Sequence, residues 1–108
     1  MKLAILNTSI LTTTGTFTLK DITLEEAKNL VKENNEILSA VGHQSTSDIL
    51  TTLLETEVPM NRIMFEQETG QKALVFKLNG RPEEGKILTS EEISEIGYKF
   101  QLLTKISD

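Results

Sequence analysis

The sequence predicts a single α/β (α+β) domain over residues 1–108, with a mixed sheet of about five strands and about three helices packed on it. Three observations lead there. Thr23-Leu24-Glu25-Glu26 and Thr89-Ser90-Glu91-Glu92 each place a glutamate three residues after a threonine, the capping box that opens a helix. Runs at 2–7, 16–22, 72–79 and 98–106 are apolar or alternate with the period of a strand. The two kinds of segment are interspersed, which packs helices onto a sheet.

In chain order, residues 2–7 read as a buried strand and 12–15 as a turn. Residues 16–22 form a second strand, with Phe17 and Leu19 on one face. Thr23 caps a helix that turns Ala27, Leu30 and Val31 inward and ends near Asn34 and Asn35. Residues 37–41 are apolar but too short to assign to strand or helix by pattern. A second helix is expected to begin near Ser45, with Ser45 and Asp48 in the capping pattern. It carries Ile49, Leu50, Leu53 and Leu54 on one face, and Pro59 closes the region. Residues 62–68 and 72–79 read as a hairpin joined at 68–71. Thr89 opens a third helix, Gly97 closes it, and Tyr98, Phe100, Leu102 and Ile106 mark the last strand.

Composition narrows the chemistry. The chain has 108 residues, 38% of them hydrophobic and 25% charged, a globular balance with material for one core. It has no cysteine, which excludes disulfides, thiolate metal sites and thiol nucleophiles. Its one histidine is His43, so a multi-histidine metal site within one chain is excluded and no metal or cofactor is expected. A net charge of −5 argues against double-stranded DNA as a partner, because that affinity comes from a broad basic face. No apolar run is long enough to cross a membrane, and the N-terminal run is too short for a signal-peptide core. A cytoplasmic protein with no membrane partner is expected.

Three segments can carry chemistry. Gly42-His43-Gln44-Ser45-Thr46 opens the second helix, where unpaired amides and two hydroxyls suit an anion. A plain capped helix with a histidine before it explains the same residues. The segment 80–86 matches the phosphate-loop pattern G-x-x-x-x-G-K, but Ile87 stands where a magnesium-binding hydroxyl belongs and two glutamates lie inside, so a nucleoside triphosphate site is rejected. It retains Arg81, Glu84 and Lys86 as a charged loop. Asn61-Arg62 is the third segment. The chain has nine lysines and two arginines, Arg62 and Arg81, and both arginines fall at loop–strand junctions. The planar fork of arginine suits phosphate. No G-x-S-x-G nucleophile elbow is present.

In order, Gly42-His43-x-Ser45-Thr46, Asn61-Arg62 and Arg81-x-x-Glu84-Gly85-Lys86 resemble the viral ring nucleases, a family that includes type III anti-CRISPR proteins of archaeal viruses and relatives in bacteria and mobile elements. The resemblance implies a homodimer with a shared cleft for cyclic tetra-adenylate, which the family linearises without metal. It implies catalytic roles for His43 and Glu84, and ligand contacts from Asn7, Ser9, Ser45, Thr46, Arg62 and Arg81. Ser9 stands nearest to the family's serine, at a different offset. Gly80 stands where archaeal members often carry glutamine.

Elementary chemistry is compatible with that implication. RNA supplies its own nucleophile, the 2′-hydroxyl, and the protein must align it with the phosphorus and protonate the departing 5′-oxygen. Glu84 suits a base or an orienting group, and the sequence does not choose. Two other readings stay open: a protein that sequesters a cyclic oligoadenylate without cutting it, and a small interaction protein of a mobile element.

Overall fold

Leu3–Leu6 forms β1, and all four residues are buried, as expected of a strand covered on both faces. In the computed structural model, which describes residues 2–9, 11–34, 36–80 and 89–107, seven further elements follow. They are β2 (Thr16–Ile22), α1 (Leu24–Glu33), β3 (Ile37–Ala40), α2 (Gln44–Leu54), β4 (Lys72–Leu78), α3 (Ser90–Ile96) and β5 (Tyr98–Ser107). The strands make one five-stranded mixed sheet in the order β2-β5-β4-β1-β3. β1 is parallel to both β3 and β4, whereas β5 is antiparallel to β4 and β2. The expected α+β architecture, five strands and three helices, is the observed one.

Alternation along the strands divides the core in two. Ile5, Leu74, Phe76 and Phe100 point to the helical face, where Val31, Ile49, Leu50, Leu53 and Ile93 meet them. Leu6, Ala40, Ala73, Val75 and Leu103 point to the other face, around the buried ring of Phe65. Among the described residues no helix covers that second face. Phe65 belongs to the irregular segment 57–68, which is latched by the Thr12 hydroxyl donating to the Phe65 carbonyl.

Segment 57–68 overturns one expectation. Residues 62–68 do not form a strand, and the hairpin with 72–79 does not exist. β4 already has β1 on one edge and β5 on the other, so neither edge is open to a hairpin partner. Side chains take over the hydrogen bonding: Gln67 Nε2 donates to the carbonyls of Gln71 (2.7 Å) and Leu103 (3.1 Å). The missing strand is instead the ambiguous segment 37–41. Its first four residues form β3, in register Leu3↔Ile37 to Leu6↔Ala40.

Both capping boxes form as expected, at Thr23 with Glu26 and at Thr89 with Glu92. The start of α2 differs. Its N-cap is His43, whose side chain makes no cap bond, and the Ser45–Asp48 box does not form. Ser45 lies inside the first turn, and Asp48 accepts from Gln44 Nε2 at 2.9 Å instead. Among the described residues no helix is long and apolar enough to cross a membrane.

Candidate functional site

The parallel strands bring three chain segments to one end of the sheet. β1 and β3 finish side by side at Leu6 and Ala40, and β4 passes them, with Val75 opposite Leu6, to end at Leu78. Asn7, Val41-Gly42-His43 and Asn79-Gly80 therefore all leave the sheet at its carboxyl end, where open α/β sheets form ligand crevices. The N-terminus of α2 opens onto this end. Its first internal bond runs from Ser47 N to His43 O at 3.0 Å, so the amides of Gln44, Ser45 and Thr46 precede the helical ladder. Such amides, with the positive end of the helix dipole, attract anions. His43 is exposed at this mouth, and its imidazole is not engaged in capping.

Arg62 reaches the same place from a distant part of the chain. Residues 58–62 run along the outer edge of β3 and the base of α2. The Ser47 hydroxyl donates to the Val58 carbonyl. The Ser39 hydroxyl donates to the Pro59 carbonyl at 2.6 Å. Asn61 donates twice, from its backbone N–H to Val41 O and from Nδ2 to Ser39 O, each at 2.8 Å. Arg62 Nε then donates to Gly42 O at 2.8 Å. A β-carbon on Gly42 would lie 3.4 Å from Arg62 Cγ, so the arginine stem rests directly on the glycine. The guanidinium is exposed, and it is anchored by its Nε.

His43, Ser45, Thr46 and Arg62 come together at the mouth of α2. Asn7 follows β1 at the same sheet end and is half-buried. Ser9 is half-buried, and its hydroxyl oxygen is buried with no hydrogen-bond partner among the described residues. Arg81 and Glu84 lie outside the described residues, and Gly80, which precedes them, sits at the end of β4 at this end of the sheet. Ser39 was missed. Asn61 was noticed only as the neighbour of Arg62, and no local pattern marks Ser39 as the acceptor of a side chain 22 residues away.

Among the described residues no three of His, Cys, Asp and Glu lie close enough to hold a metal ion. A carboxyl held below its ordinary range lies elsewhere. Asp21, on the opposite edge strand β2, accepts from Gln101 Nε2 at 2.8 Å, lies 3.7 Å from Lys99 Nζ, and has its pKa lowered by both.

Comparisons with known proteins agree with this architecture. A family model described as STIV B116-like matches residues 3–100. Uncharacterized protein 26 of Sulfolobus islandicus filamentous virus is 44% identical over 89 residues, covering 82% of this chain and 75% of that protein. The uncharacterized protein YddF of Bacillus subtilis is 35% identical over 107 residues, covering 98% and 99%. The solved structure of B116 of Sulfolobus turreted icosahedral virus superimposes with a TM-score of 0.84 over 96% of this chain and 99% of that one, at 24% identity.

Proposed function

The chain belongs to the STIV B116-like family, and we propose that it is a metal-independent ring nuclease that opens cyclic tetra-adenylate and so damps type III CRISPR signalling. The observation that carries the proposal is the convergence of His43, the open amides of Gln44–Thr46 and the anchored Arg62 guanidinium at one end of the sheet. A ring of four phosphodiesters is a compact polyanion, and a local cationic mouth can hold it on a chain whose net charge is −5.

Each group has a distinct task in the proposed reaction. The helix-start amides and Arg62 bind the scissile phosphate and stabilise the charge that grows on its oxygens. The 2′-oxygen bonds to phosphorus as the phosphorus–5′-oxygen bond breaks, giving a 2′,3′-cyclic phosphate and a 5′-hydroxyl. His43, in its protonated form, gives its proton to the departing 5′-oxygen. Arg81 and Glu84, which lie outside the described residues, enter the proposal through the family resemblance alone. A homodimer presents two such mouths to a ligand with its own pseudo-symmetry.

Incubating pure protein with cyclic tetra-adenylate and resolving the products tests this. Short linear adenylates ending in 2′,3′-cyclic phosphate are expected. An intact ring after long incubation at high enzyme concentration overturns the catalytic reading.

A further inference from the structure

Asn61 does more than precede Arg62. β3 is an edge strand, and the carbonyls of Ser39 and Val41 each accept a hydrogen bond from Asn61. One asparagine therefore does the work of a short additional strand: its backbone N–H takes Val41 O and its side-chain Nδ2 takes Ser39 O, each at 2.8 Å. Ser39 answers with its own hydroxyl, on Pro59 O at 2.6 Å. Ser39 is only 4% exposed, so its carbonyl depends on Asn61 rather than on water. The next residue, Arg62, is exposed and belongs to a segment with no regular structure, yet its Nε sits 2.8 Å from Gly42 O.

Resting on the reading of Arg62 as a ligand contact, we infer that Asn61 is a positioning residue: by pinning residues 59–62 to the edge of β3, it holds the Arg62 guanidinium beside the mouth of α2. An arginine on an untethered loop must be ordered at the moment of binding, and each long side chain immobilised then weakens affinity. Asn61 completes that ordering during folding. Its backbone N–H and its Nδ2 are engaged by Val41 O and Ser39 O, so its contribution to binding passes through Arg62.

A double-mutant cycle tests the inference, with cyclic tetra-adenylate as the probe. Asn61→Ala, Arg62→Ala and the double variant are titrated beside the wild type. Asn61→Ala is expected to weaken binding by roughly fivefold or more, and the double variant to bind no worse than Arg62→Ala, within about twofold. The Arg62 Nε–H cross-peak, sharp in the wild-type NMR spectrum, is expected to broaden in Asn61→Ala. A merely structural role would leave the two losses multiplying and that cross-peak sharp, and either result overturns the inference, as does wild-type affinity for Asn61→Ala. If Asn61→Ala does not fold, Ser39→Ala loosens the same segment at Pro59 and takes its place in the cycle with the same criteria. Failure of the underlying reading shows differently: Arg62→Ala binds like wild type, or the wild type does not bind the ring, and both ideas fall together.

Discussion

Arg62 Nε donates to the carbonyl oxygen of Gly42 at 2.8 Å, one residue before the N-cap of α2. The bond joins two loops 20 residues apart in sequence and sets a cationic group next to the open amides of the helix and next to His43. In the proposed reaction, binding and proton transfer fall to neighbouring but separate groups, and substitutions should separate them.

His43→Ala is expected to lower the single-turnover rate on cyclic tetra-adenylate by roughly 10²-fold or more, because it removes the proposed general acid. Affinity should change far less, since in the proposed site the amides and arginine hold the phosphates. A variant that cleaves at the wild-type rate assigns catalysis to another group. A wild type that binds tightly and never cleaves is a sequestering protein.

Activity should survive excess EDTA, because the proposed nucleophile is the substrate's own 2′-hydroxyl. A ring built from 2′-deoxy sugars should bind and stay intact. Cleavage of the deoxy ring would identify water as the nucleophile, and a requirement for added magnesium or manganese would refute the metal-independent route.

Arg62→Ala should weaken binding by about 1.5–3 kcal/mol, the range for a charged hydrogen bond to phosphate. The loss should be largest at low ionic strength and shrink as salt screens the contact. Arg62→Lys should rescue part of it, keeping the charge and losing the planar fork, one arm of which is on Gly42 O. The same pattern is expected at Arg81. Titrations at two salt concentrations read both, and unchanged affinity would make these arginines ordinary surface residues.

Phe65→Ala should destabilise the fold by about 3–5 kcal/mol, because a buried aromatic ring is removed from the second core cluster. Thermal unfolding measures it. A loss below about 1 kcal/mol would mean that segment 57–68 is not anchored by this ring.

Asp21 gives a pH prediction. Its carboxyl is held below its ordinary range by the Gln101 hydrogen bond and the Lys99 charge. A depressed carboxylate adds stability above its unfolded pKa, and the contribution disappears as pH falls through the folded value. Asp21→Asn should therefore melt below wild type at pH 7, with the gap closing below about pH 4. Melting curves at pH 7 and pH 3 decide it, and a gap of constant size would show that the Asp21 charge is not the cause.

The mouth of α2 was partly legible in the sequence. The Gly42–Thr46 segment announces a helix start, and the scarcity of arginine drew attention to Arg62. The capping residue was misread because Ser45 and Asp48 suit a box as well as any such pair. In the fold, Gln44 takes Asp48, and the N-cap falls at His43, two residues before Ser45. That choice depends on where β3 ends, which the pattern of residues 37–41 leaves open.

By itself the sequence determined what is local: the two capping boxes, the strands β2 and β5, the apolar stripe of α2, and hence an α+β domain. Those signals are carried by residues within a turn or a strand's length of each other. Tertiary structure decided which apolar run became the third strand, because strand pairing needs an open edge. β4 had none to offer residues 62–68, whereas β1 had one for residues 37–40. It also decided the site. Asn61 and Arg62 find Ser39, Val41 and Gly42 only after the sheet has formed and left the edge of β3 with carbonyls to satisfy.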